Sequence, residues 1–496
     1  MRALDYAVVG AFFVLMILIG LASIRKVRGS KDYFVGGGKV PWWLAGVSLH
    51  VSGYSGVVFV AMAAVAYTHG FSLYVWWCTP YVFAAALSAY VIAPRWSRLR
   101  QSLHIESATE YLAIRYGLGA QQLIACCGVG LKLFDVGAKW AALGVLLHGF
   151  TGLPLVTGIL ISGGISLIYV TVGGLWADLY TDFAQFLVQL VAGTTLLVAV
   201  LSKLGGAGAL FSIWHRLPPG HARLFNGEYT PLFFVGYALG NILSSNGGTW
   251  NQATRFIAAP TGSSARKSAI LCGLLYVFWP LVLFFPMWAG PLLEPHLAHP
   301  TQLYPLLVLR FLPPGLVGLS LAAMFAATMS MTTSDTNAIS AVITRDLLPQ
   351  MSPGFRGRSE AGRLRIARIS TFVFTLLTLV VAVESEHFGG VLGLIVAWFG
   401  ALIGPTSIPM VCGLVPLFKH AGSRAAVGSI LCGVALFAAA VALDASMTAR
   451  VGLPTAGSAV VYCAAAWWNR RRPVPARVEN LLRGISAAGE RSRAEA

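Results

Sequence analysis

Residues 321–346 read LAAMFAATMSMTTSDTNAISAVITRD, with Ser330, Thr332, Thr333, Ser334, Asp335, Thr336 and Asn337 crowded into adjacent turns. The stretch is long enough to cross a bilayer, because about 20 helical residues cover the hydrocarbon core. Polar side chains at that depth are costly unless they pair or face water, which makes an intramembrane carboxylate among hydroxyls a functional-site candidate. Ser330, Thr333, Ser334 and Asn337 recur at three- and four-residue steps and share one helical face. Hydroxyl and carbonyl oxygens are the ligands a small, hard cation takes. Serine and threonine also bond back to their own helix or join neighbouring helices. Their density around a carboxylate favours an ion or solute path.

Other residues at membrane depth add to the chemistry. Lys132, Asp135 and Lys139 stand at i,i+3 and i,i+4, so they can neutralise one another, either as a structural ion cluster or as a solute contact. Asp182, in LYTDFAQ, falls near the end of an apolar block, where a carboxylate ordinarily caps a helix. His50 and His148 are isolated and read as packed or interfacial. HExxH, P-loop and GxSxG patterns are missing, so no catalytic constellation points to an enzyme.

Composition fixes the surroundings. The chain has 496 residues, 57% of them hydrophobic and 11% charged, against about 25% charged in soluble domains. It is an all-α polytopic membrane protein. We place thirteen spans near 5–24, 42–66, 71–94, 121–148, 154–175, 180–202, 231–253, 268–291, 315–344, 367–384, 389–415, 425–445 and 453–469. Segment 105–117 reads as an interfacial helix on the inner side, 205–230 as an outer loop, and 293–314 as an outer loop whose LYPLLVLRFLPPG forms a short amphipathic helix. With the N-terminus outside, basic residues collect inward: Arg25 to Lys39, Arg95 to Arg115, Arg255 to Lys267, Arg345 to Arg368, Lys419, Arg424 and the tail from Arg470. That asymmetry predicts N-out and C-in. It also explains the net charge of +17 without a nucleic-acid partner. The tail reads as solvated or resting on anionic lipid. The seven cysteines lie in apolar blocks without metal-like spacing and read as small hydrophobes.

Two spans should break. Residues 50–56 (HVSGYSG) and 244–249 (SSNGGT) place glycines and serines at bilayer depth, at matching positions of two five-helix halves. Interrupted helices in corresponding places point to a transporter site, where unwound carbonyls hold a cation. Close packing through small residues gives the same pattern.

Several stretches together resemble the sodium/solute symporter family. They are DYFVGGGKVPWWLAGVSL (32–49), IYVTVGGLWADLYTDFAQ (168–185), TWNQATRFIAA (249–259), YPLLVLRFLPPGLVGLSLAAMFAATMS (304–330) and ITRDL (343–347). The resemblance spans nearly the whole chain. It implies the LeuT-type five-plus-five inverted repeat, with one leading helix (1–30), a core (31–418, repeats about 40–203 and 231–418), two trailing helices (419–470) and a basic cytoplasmic tail (471–496). It also implies sites. The main sodium site would take the carbonyls of Val51, Tyr54 and Ala327, the Ser330 hydroxyl and the side chain at 331. Here that side chain is Met331, a thioether and a poor sodium ligand. A second sodium site would comprise Asp182, Thr333 and Ser334, all intact. Asp335, one turn beyond Met331, is a candidate for proton or ion coupling. The solute pocket would include Ser52, Ser55, Val58, Ser244 and Asn246. Val57-Val58 and Gly53 stand where sugar carriers place polar groups, which argues against a sugar.

The resulting expectation is a sodium-coupled symporter of a small organic solute in the cell inner membrane, working by alternating access. A proton-coupled or uncoupled carrier, or a solute sensor of the same fold, is the alternative. Oligomeric state is left open.

Overall fold

The computed structural model describes residues 1–487, except the side chains of residues 131, 165–173, 353, 356, 360, 392 and 402. The tail arginines at 491 and 493, and the side chains of 168–173 in the expected IYVTVGG stretch, therefore lie outside the described residues. The helices that position the site are, in chain order, α1 (Ala3–Ser23), α2 (Trp42–Val51), α3 (Ala63–His69), α4 (Thr79–Leu87), α5 (Ala93–Leu103), α6 (Glu110–Tyr116) and α7 (Leu118–Thr151). There follow α8 (Leu155–Lys203), α9 (Pro231–Leu243), α10 (Asn251–Ala258), α11 (Gly262–Trp288), α12 (Leu303–Phe311) and α13 (Leu316–Val342). The chain then forms α14 (Glu360–Val383), α15 (Gly390–Trp398), α16 (Gly404–Cys412), α17 (Ser423–Ala442), α18 (Met447–Trp468) and α19 (Ala476–Gly484).

Helix α13 is the axis of the bundle. It packs against α1, α7, α8 and α14, and nearly every residue along it is buried, the hydroxyl-rich turns included. A helix polar on one face cannot meet lipid, so the bundle closes around it on all sides. Helix α8 is two helices meeting at Gly174, whose φ of 58° suits glycine. A Cβ there would come within 2.6 Å of the Tyr33 ring.

Both expected breaks are present. Helix α2 ends at Val51, residues 52–55 are non-helical, and the chain resumes through a π-turn at Val58–Met62 into α3. Helix α9 runs into a π-turn at Ser244–Gly248, with Gly247 at φ 110° and Trp250 at φ 34° before α10 begins. Left-handed backbone at a tryptophan is strained and persists only where surrounding packing fixes it. These interruptions matter for counting. Among the described residues seven helices are each long and apolar enough to cross a membrane, or nine if two bent pairs are included. The spans expected at 42–66 and 231–253 are instead assembled from shorter pieces.

Two expected surface segments pack on the bundle. Helix α6 buries Tyr111, Leu112, Arg115 and Tyr116 against the bundle. In the tail, α19 docks on α5 and α6 through Val478, Leu481 and Leu482. Leading helix α1 is also tied in. Asp5 Oδ1 accepts from the amides of Gly315 (2.6 Å) and Gly318 (3.0 Å) at the start of α13. A carboxylate over a helix N-terminus is favourable. Asp5→Ala strips both amides of their acceptor and should lower stability by about 1–3 kcal/mol. Thermal unfolding of the purified protein checks this; an unchanged midpoint would mean that these amides find another partner.

Candidate cation and solute site

One buried cluster gathers two carboxylates and a guanidinium against α13. Ser330 Oγ donates to Asp182 Oδ1 at 2.5 Å, and Ser48 donates to Asp182 Oδ2. Thr333 Oγ1 donates to Asp178 Oδ1 at 2.6 Å, and Ser334 Oγ lies 3.1 Å from Asp178 Oδ2. Arg255 Nη2 reaches Asp178 at 2.5 Å, Asp182 at 3.5 Å, and the Ser334 hydroxyl. Arg255 is fully buried, so it is no loop charge as the sequence suggests. It comes from α10, directly after the second break, and its Nε donates to Ser48 Oγ at 3.0 Å. Two carboxylates against one guanidinium leave the group one formal negative charge in excess. Uncompensated charge in a dry interior is costly. The arrangement therefore suits one added monovalent cation or one proton.

The first break packs on the same helix. Gly56 N donates to Thr328 Oγ1 at 2.8 Å, and Ser52 Oγ sits 3.2 Å from Ser334 Oγ. The Val51 carbonyl accepts from Tyr54 N at 3.0 Å. Ala327 is buried in α13. Met331 is half-buried and faces the central cavity.

Asp335 has a different setting from its hydroxyl neighbours. It accepts from Lys132 at 2.7 Å and Lys139 at 2.5 Å, and both lysines also bind Asp135, at 2.8 and 2.9 Å. The i,i+3 and i,i+4 pairing legible along α7 is thus one side of a four-member ring that α13 completes. Two ammoniums and two carboxylates are formally balanced. Asp335 is not a free carboxylate for ion coupling; it is the brace between α7 and α13.

Above the ring lies a cavity of about 120 Å³. Ser55, Val58 and Ser244 line it, together with Asp135, Lys139 and Asn241. Its walls are aromatic. Trp76 stacks on Tyr229 with centroids 5.0 Å apart, and Tyr237 on Phe399 at 4.8 Å. Two expected pocket residues point elsewhere. Ser52 is turned to Ser334, and the Asn246 amide donates to the carbonyls of Ala84 and Ile242, at 3.2 and 2.8 Å. The glycines have local reasons. A Cβ on Gly53 would fall 1.7 Å from the Tyr276 hydroxyl, which occupies that space, and one on Gly248 would meet Ser407.

Sequence reasoning missed Asp178, Arg255 and the partners of Asp335. The signal for Arg255 was its place shortly after TWNQ, on the helix that follows the second break.

The profile of the sodium:solute symporter family matches residues 33–433. The sodium/sialic acid symporter SiaT of Proteus mirabilis (strain HI4320) is 26% identical over 460 residues, covering 88% of this chain and 89% of its own. Sodium-coupled monocarboxylate transporter 2 of Danio rerio is 27% identical over 463 residues, covering 88% and 71%. Among solved structures, a Na+-coupled sialic acid symporter in a substrate-bound outward-open state superimposes with a TM-score of 0.82 at 21% identity, over 94% of this chain and 98% of that one. Mhp1, a nucleobase-cation-symport-1 family transporter in a closed conformation, gives 0.58 at 15% identity, over 94% and 98%. The fold is the all-helical LeuT-like one.

The ring makes a prediction of its own. Asp335→Asn leaves two buried ammoniums facing one carboxylate and should cost about 3–5 kcal/mol. Removing a balanced pair, Lys132→Met with Asp335→Leu, should cost less than the single change. Melting both proteins decides this; a double variant no better than Asp335→Asn would mean that packing, not charge balance, dominates.

Proposed function

The chain belongs to the sodium:solute symporter family, and from that premise we propose where its coupling ion and its solute are held. As a multi-pass membrane protein of this family it couples the movement of a small organic solute to sodium and is not an enzyme. The observation that carries the assignment is the excess negative charge beside α13. Sodium is held by the Asp182 carboxylate with the hydroxyls of Ser330, Thr333 and Ser334, while Arg255 stays with Asp178. The hydroxyls are hard oxygens of the kind sodium prefers.

The set formed by the Val51, Tyr54 and Ala327 carbonyls, Ser330 and Met331 offers one hard ligand fewer, and Ser330 is already directed at Asp182. We assign it weak sodium binding at most. The solute occupies the aromatic cavity, with Ser55, Ser244 and Asn241 as its polar contacts and Val58 on its apolar side. With most of its wall aromatic or aliphatic, the cavity suits a small, partly apolar carboxylate better than a sugar, since hydroxyls buried without partners cost about 1–3 kcal/mol each. Lys139, the cation among the cavity's lining residues, is the contact for the carboxylate, shared with Asp135 and Asp335 of the ring. Relatives named for sialic acid and monocarboxylates handle solutes with that group. The remaining expectations belong to the same reading: thirteen spans with N-out and C-in, residues 31–418 as the transporting core flanked by 1–30, 419–470 and the inward tail 471–496, and placement in the cell inner membrane.

A proton sharing Asp178 and Asp182 would balance the pocket equally well, and that favours proton coupling as the second reading. Reconstituted vesicles separate the two. An inward sodium gradient at equal pH should drive uptake of short carboxylates such as propionate and leave glucose outside. Uptake driven by a pH gradient alone, indifferent to sodium, would replace sodium with a proton. Met331→Ser restores a hard oxygen and should lower the half-saturating sodium concentration about tenfold, equivalent to about 1.4 kcal/mol. Unchanged sodium dependence of uptake would take residue 331 out of the ion site.

A further inference from the structure

We propose that a basic crevice at one end of the bundle, between the loop 413–422, the start of α17 and the end of α18, binds the phosphate headgroup of an anionic phospholipid. The crevice has a volume of about 740 Å³, room enough for a glycerophosphate headgroup. Lys419, Arg424, Arg472 and Arg477 line it, and its described lining residues include no Asp or Glu. Among the described residues none of these four cations has a carboxylate partner, in contrast to the buried lysines and arginine of the transport core. Like charges held in one concavity raise the local potential and concentrate anions there.

The site is built rather than incidental. Arg115, 2% exposed, lines the crevice and spends its guanidinium on the carbonyls of Gly413 (3.1 Å), Ala421 (2.7 Å) and Phe418 (2.5 Å). The loop that carries Lys419 is therefore pinned with those carbonyls turned inward, away from an incoming anion. From the other side, α19 docks on α5 and α6, and this holds the segment bearing Arg472 and Arg477 against the loop. Arg98 Nη1 secures the end of α19 by donating to the Ile485 carbonyl at 3.4 Å.

The surroundings choose lipid over a free anion. Trp468, a lining residue, is 77% exposed, and Leu417 within the loop is 79% exposed. Tryptophan gathers at headgroup depth, and basic pockets between helices on the inner side take anionic headgroups. The inference uses the proposed N-out, C-in orientation only to say which leaflet supplies the lipid, and it is independent of the ion and solute assignments.

The test is the thermal stability of the full chain in neutral detergent, with added phosphatidylglycerol, with phosphatidylcholine of the same acyl chains, and with inorganic phosphate. Phosphatidylglycerol should raise the midpoint by about 3 °C. Phosphatidylcholine and inorganic phosphate should not. The variant Arg424→Gln/Arg472→Gln should melt like the parent without lipid and lose the rise. Should that variant fail to purify, Lys419→Gln alone should reduce the rise. An equal rise in the variants, or with phosphatidylcholine, would overturn the site; a rise with inorganic phosphate alone would overturn the lipid as its occupant.

Discussion

Every charge near α13 must be answered inside the protein, because lipid answers none. That constraint orders the core. Helix α13 brings hydroxyls and Asp335 to a depth where water is scarce, and the neighbouring helices meet them with opposite charge. Helix α7 supplies Lys132 and Lys139 to Asp335, and α10 supplies Arg255 to Asp178. One cluster closes as a balanced ring. The other remains one positive charge short. A balanced buried cluster holds two helices in register, whereas an unbalanced one has an affinity for a cation. The two kinds of cluster lie on the same helix, so the balanced ring and the proposed ion site are separated by little more than a turn.

The broken helices connect that electrostatics to the solute cavity. Ser48 on α2 touches both Asp182 and Arg255, and Arg255 follows the break after α9. An ion bound between Asp182 and the α13 hydroxyls therefore bears on both interrupted helices, and residues from both breaks line the aromatic cavity. This is a physical route for coupling. A cation that neutralises the pocket favours one arrangement of α2, α10 and α13 over others, and a ligand shifts a conformational equilibrium only through such a difference.

Much of this was legible in the sequence because it is local. Hydroxyl spacing placed the polar face of α13, the Gly/Ser runs marked both breaks, and the i,i+3 and i,i+4 steps paired Lys132, Asp135 and Lys139. What was not legible is long-range. Arg255 and Asp178 are 77 positions apart, and Lys132 and Asp335 are 203 apart. Periodicity carries no information about such pairs, so Arg255 read as a loop charge and Asp335 as a titratable spare. Gly53 is a further case. The sequence shows a missing side chain, while the structure fills its place with the hydroxyl of Tyr276 from another helix. Ser52 and Asn246 were near enough to the breaks to be taken as solute contacts, yet hydrogen bonds to Ser334 and to backbone carbonyls turn them aside.

The central claim is that the excess charge at Asp178, Asp182 and Arg255 is what binds sodium. The direct measurement is a sodium titration of the purified protein, with potassium replacing sodium at constant ionic strength, read as the melting midpoint of the parent and of Asp182→Asn. A ligand that binds only the folded state raises that midpoint by mass action. The account predicts a saturating rise with sodium in the parent and none in Asp182→Asn, whose pocket is already balanced by Arg255. A sodium response of equal size in Asp182→Asn would contradict it and place the ion elsewhere.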